Sequence, residues 1–249
     1  MNEETKRGFS AVVSVTSGLS TSEQRKAPRK ISVVIIICAW LAFAPKAQAQ
    51  IEMSVGVAVG TNYSSHSGSD LPKTATGLGL IIGGQAEMSF TRSLGIVTTI
   101  SYDNRIGYYS DNGSDQGIDF TEDVLLSASY ISIEPLFKYV FPNRLFYVVS
   151  GPCLGIAVQG RSETTTNIVT PGYSFPNGYA TQTVKGTLEN MNSRFEWKVG
   201  AGYGYQIDKT TRLNLQLTYG HGLTKIAKDL DWKVSSLTLL GSFEFALGR

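Results

Sequence analysis

The residues of this 249-residue chain whose types could do chemistry are two histidines, two cysteines and a scatter of carboxylates spaced two by two. A histidine base needs a nucleophile and an orienting partner within hydrogen-bond reach. His221 sits in the text YGHGLTK, which holds no His-x-Ser pair and where Thr224 is a poor substitute for serine, so it reads as non-catalytic, at the interfacial end of a strand. His66 lies in a Ser/Gly-rich stretch and is expected to be solvated. Cys38 falls in an apolar run near the N-terminus, which leaves Cys153 to be expected as a buried small hydrophobe. Two Cys and two His, one of them in that run, exclude a four-ligand zinc site and a disulfide framework. Asp111, Asp115, Asp119, Glu122 and Asp123 lack the ordered spacing of a calcium loop and read as hydrated surface. Gly200, Gly202 and Gly204 follow a two-residue rhythm with no helix after them, which argues against a phosphate cradle. The expectation is no catalytic residue, no metal and no cofactor.

The N-terminal region carries its own signal. Arg25 to Lys30 is basic, Ile31 to Ala44 is an apolar run of 14 residues closed by Pro45, and Ala47-Gln48-Ala49 is a small-residue cleavage site. That pattern predicts a signal peptide over residues 1–49, with a long basic n-region, followed by a mature domain over 50–249. A run of 14 is short of the roughly 20 residues that a spanning helix needs. Removing 1–49 takes seven of the 22 basic residues and three of the 20 acids, leaving a net charge of −2. No basic footprint for nucleic acid survives. The charged fraction, 17%, is below the ~25% of a typical soluble domain.

The mature chain alternates. Ile51, Met53, Val55, Val57, Val59 and Tyr63 are separated by Glu52, Ser54, Gly56, Ala58, Gly60 and Asn62, and the same period of two returns seven more times up to Leu247. The spacers are short at Thr91–Ser93, Phe141–Arg144 and Gln206–Thr211, and long at Ser64–Thr76, Ser110–Asp123, Gly160–Ser193 and Gly222–Trp232. Eight strands with short turns at one rim and long loops at the other predict an all-β, eight-stranded, antiparallel up-and-down barrel of the outer membrane, its longer strands projecting as paired ribbons. Pro135 and Pro152 interrupt two of these strands, and Gly151-Pro152 reads as a bulge at which the phase, and the side taken by Cys153, could slip.

Charge parity decides which solvent surrounds the barrel. Glu52, Glu87, Asp103, Arg105, Glu134, Lys138, Arg194, Glu196, Lys198, Arg212 and Glu244 all fall on the face opposite the apolar set, six acids against five bases. A near-neutral set suits side chains packed in a narrow lumen, where an unpaired charge is costly. Glycines crowd the same face, and aromatics take the other, in two bands near the strand ends, as the girdles of a membrane barrel do.

The text YISIEPLFKYVFPNRLFYVVSGPCLG at 130–155 resembles the central hairpin of the small outer-membrane β-barrel family that includes the PorT-like proteins, and WKVGAGYGY at 197–205 resembles a later Gly-rich strand of that family. The resemblance implies an integral outer-membrane barrel, in some members tied to secretion or surface motility, with no catalytic residues to carry over. The expected partners are outer-membrane lipid and a protein at the long loops, above all 160–193. A lipid-modifying barrel enzyme, or a soluble periplasmic ligand-binding barrel with its faces inverted, stands as the alternative.

Overall fold

The computed structural model describes residues 51–69, 73–188, 191–226 and 231–247. The expected signal peptide lies outside the described residues. Among the described residues, nine antiparallel strands follow in chain order: β1 (Glu52–Ser67), β2 (Ala75–Ser89), β3 (Leu94–Asp115), β4 (Ile118–Val140), β5 (Phe146–Ile168), β6 (Thr181–Thr187), β7 (Arg194–Gln206), β8 (Thr211–Gly222) and β9 (Lys233–Leu247). Eight of them form a ring in the order β4-β3-β2-β1-β9-β8-β7-β5, closed by pairing of β4 with β5. A closed ring lets strands pair on both sides and leaves no free edge in the hydrocarbon.

The period of two places apolar side chains outside. Val57, Leu78 and Phe137 are 67%, 66% and 63% exposed, whereas Asp103, Arg105 and Lys198 are fully buried within the ring. Such a surface is tolerable only where lipid covers it, so the inverted, soluble alternative falls away. Tyr63, Tyr108, Trp197 and Tyr219 stand exposed toward the long-loop rim, and Phe137, Phe146, Tyr205 and Phe245 toward the short-turn rim. These are the two expected bands.

The short turns are fixed by side chains. Thr91 Oγ1 accepts from the N–H groups of Ser93 and Leu94, and Asn143 Oδ1 from those of Leu145 and Phe146. Asp208 Oδ1 accepts from the N–H groups of Thr210 and Thr211 at 2.7 and 2.8 Å. These donors hold the Asp208 carboxyl below its ordinary range.

Two long loops differ from expectation. The segment 110–123 is not a loop: β3 and β4 pair without interruption up to Asp115↔Ile118, turning on Gln116 and Gly117, whose φ values are 53° and 81°. Two positive φ angles make the tight turn whose twist matches a hairpin. The segment 160–193 is half strand, since β5 continues to Ile168 and β6 returns beside it from Asn167↔Thr181. Above the lipid belt, where the outward residues on β3 and β4 become Asn104, Ser127 and Ser129 bonded to one another, the strands β3-β4-β5-β6 therefore continue as a four-stranded sheet. The alternation fades beyond Val124, where residues 118–123 are half-buried or exposed on both faces, so no apolar period marks the strands.

The bulge is also displaced. The β4–β5 register is the same on both sides of the prolines, Ile133↔Leu154 and Phe137↔Ser150, and slips only between Ser129 and Tyr130. In that register Pro135 stands opposite Pro152. Both missing N–H groups fall on one rung of one seam, while Thr98↔Pro135 and Pro152↔Trp197 stay paired on the other sides. Cys153 keeps the inward phase.

Candidate functional site

The lumen holds ten of the eleven parity-selected charges, in two layers. The layer toward the long loops is built from β3, β4 and β7. Arg105 binds Asp103 in a fork, with Nε at 3.0 Å and Nη2 at 2.7 Å, and Arg194 Nη2 reaches the same carboxylate at 2.8 Å from across the lumen. Glu196 lies 3.5 Å from Arg194 and 3.7 Å from Arg105. Lys198 donates to Glu134 at 2.5 Å. Asn62 and Ser132 add donors to Asp103. Three acids thus face three bases, all within a few per cent of complete burial. Cys153 sits among them, with Sγ 3.6 Å from Glu134 Oε1 and 3.7 Å from Arg194 Nη2. It is buried as expected, but in the ionic layer and not against apolar neighbours.

The second layer, toward the short turns, pairs Lys138 with Glu87 at 2.6 Å, and Arg212 stands 3.9 Å from the other oxygen of Glu87. Glu244 accepts from Ser54 at 3.2 Å and from Ser242 at 3.4 Å. Two acids and two bases again balance. Lys138 also lies 4.1 Å from the centre of the Tyr147 ring, and that ring occupies the space at Gly202, where a Cβ would stand 2.2 Å from it. Gly202 is therefore glycine because Tyr147 is large. Glu52 departs from the expected network: it is exposed at the mouth, at the start of β1, with no ion pair among the described residues.

Parity reasoning missed the apolar share of the lumen. Ile81, Val97, Leu136, Val149 and Leu240 point inward in two small clusters, Val97, Leu136 and Val149 packing with Tyr147, and Ile81 and Leu240 with Ala58. His66 is a correction. It is fully buried at the loop-side end, where it accepts a hydrogen bond from Trp232 Nε1 at 3.1 Å beneath a cluster of Ala75, Val124, Leu126, Ile226 and Val234. A stretch rich in Ser and Gly concealed it because β1 runs four residues past its last outward aromatic, Tyr63, into a covered mouth. His221 is exposed on the outer face opposite Trp197. The Thr224 hydroxyl is committed to backbone, accepting from Phe195 N–H at 2.8 Å.

The model of a family described as outer membrane protein beta-barrel domain matches residues 46–228. The chain belongs to that family. The match includes eight of the nine strands of this outer-membrane barrel, and β9 lies beyond it, closing the ring between β1 and β8. Among solved structures, the barrel is similar to Ail, the attachment invasion locus protein of Yersinia pestis, at 15% identity over 78% of this chain and 99% of that one, with a TM-score of 0.35. It is similar to a major outer membrane protein from Thermus thermophilus at 13% identity, covering 77% and 99%, with a TM-score of 0.39. It is similar also to the neisserial surface protein A at 13% identity, covering 76% and 95%, with a TM-score of 0.34. No curated protein matches the chain.

Proposed function

We propose that this outer-membrane barrel is a non-enzymatic envelope protein, a membrane anchor that carries the β3-β4-β5-β6 sheet as a contact surface outside the cell. The observation that carries this reading is the lumen: two charge-neutral layers and the apolar side chains between them fill an eight-stranded bore, as the narrow interior of such a barrel demands. The commitment of Thr224 to backbone and the outward position of His221 support a structural role for that histidine. Outer-membrane lipid is one partner. A protein is the other, at the β5–β6 hairpin, where Val169, Tyr173 and Tyr179 near the tip and Val184 on β6 are exposed. A place among the PorT-like members, with a link to secretion, belongs to the same proposal and rests on the text at 130–155.

Planar-bilayer recording of the purified barrel tests the reading: no steady, large conductance is expected, and one would overturn it. The lipid-modifying alternative is tested by His221→Ala, which on the present reading leaves the lipid A species of the cell unchanged.

A further inference from the structure

The two ends of the barrel are not alike. At the loop side the apolar cluster over His66 and Trp232 covers the ionic layer. At the short-turn side, which in such barrels faces the periplasm, the lumen opens into a cavity of about 730 Å³. Four cations from separate parts of the chain line it: Arg92 in the β2–β3 turn, Arg144 in the β4–β5 turn, Lys209 in the β7–β8 turn and Arg212 on β8. Against them stand Glu52 and Glu87. Glu87 is already held by Lys138 at 2.6 Å, so it neutralises little of the mouth. Arg92, Arg144 and Lys209 have no acidic partner within ion-pair distance among the described residues, and Arg212 makes only the 3.9 Å approach to Glu87.

The deeper bases Arg105, Lys138, Arg194 and Lys198 each stand within 2.8 Å of a carboxylate; Arg212 already offsets an acid of the second layer, so the excess at the mouth comes from Arg92, Arg144 and Lys209 against Glu52. A chain that balances buried charge so closely leaves an excess of positive charge at the open short-turn mouth. Two of the cations have fixed attachments. Arg144 has φ of 57°, in the left-handed region that few side-chain-bearing residues adopt, in a turn fixed by the Asn143 side-chain carbonyl and by its own N–H bond to Phe141 O at 2.8 Å. Arg212 is oriented by a bond from Nε to Gln206 Oε1 at 3.3 Å, and its side chain is 37% exposed toward the cavity. Three guanidinium groups and an ammonium around a concave space suit oxyanions that accept paired N–H donors.

We infer that the periplasmic mouth is a binding site for a ligand bearing two or more phosphate-type oxyanions. That chemistry has two sources, a free phosphorylated solute and the headgroup of an anionic phospholipid of the inner leaflet.

The test uses the whole barrel in nanodiscs. In zwitterionic lipid, calorimetric titration with inorganic pyrophosphate at low salt is expected to show saturable binding that weakens as salt is raised. In discs containing phosphatidylglycerol, native mass spectrometry is expected to show retained anionic lipid if the headgroup is the ligand. The triple variant Arg92→Gln, Arg144→Gln, Lys209→Gln changes only exposed turn residues, and its folding is verified by the heat-dependent gel shift. It weakens whichever binding is seen by about tenfold, and Glu52→Gln tightens it. Binding in the first arm identifies a free anion and binding in the second alone a headgroup. No binding in either arm, or binding that a folded triple variant retains in full, overturns the site.

Discussion

Glu134 and Lys198 meet across the lumen from β4 and β7, and the ionic layer holds both away from water. Removing one member strands the other. Lys198→Met is expected to lower stability by about 3–5 kcal/mol, measured by urea unfolding in lipid vesicles, while the double change with Glu134→Leu recovers most of the loss. Equal losses in the single and double variants would show that the pairing is not what matters there. At the short-turn rim the sign of a pH effect follows from Asp208. Its carboxylate is stabilised by the Thr210 and Thr211 N–H groups, so its folded pKa lies below the ordinary 3.8, and its contribution is present above that value and lost as pH falls through the lower, folded one. The amide signals of Thr210 and Thr211 should then titrate together with a midpoint below 3.8. At this scale the sequence showed which charges face inward, because parity is local. Partners could not be read, since Asp103 and Arg194 are joined only by closure of the ring. Nor could the inward set of Ile81, Val97 and Leu136, which share the parity of the charges but not their chemistry.

Strand order and the placing of the short turns were legible from the alternation, because one face meets lipid and the other a polar lumen. What hid the outer sheet is that β3, β4 and β5 keep pairing after the lipid ends, where Asn112, Gly113 and Ser114 carry no apolar rhythm. The turn at Gln116-Gly117 lacked the Asn-Gly text that marks such hairpins most clearly. Gln116→Asn should suit the left-handed position better, slowing protease cleavage at the hairpin tip without altering the barrel's gel shift, whereas Gln116→Val should speed cleavage. The β4–β5 seam offers a second check. Pro135 and Pro152 share a rung, so Pro152→Val supplies an N–H opposite the Pro135 carbonyl. The gain is expected to be about 0.5–1.5 kcal/mol in urea unfolding, the net value of one hydrogen bond. A loss instead would mean that the strands at this rung stand too far apart to bond.

As a whole the barrel is a cup, covered on the outside and open toward the periplasm, with a sheet standing on its rim. Its charges are matched between strands far apart in the chain: Glu87 of β2 with Lys138 of β4, Glu134 of β4 with Lys198 of β7, Asp103 of β3 with Arg194 of β7. A hairpin entering lipid alone would therefore carry naked charges into the hydrocarbon. Omitting β9, which joins β1 to β8, should leave a chain that never acquires heat-dependent mobility, even though every ion pair named above lies on other strands. The neutral layers thus bear on biogenesis as much as on stability. They favour an order of assembly in which the strands bring their charges together before these meet hydrocarbon.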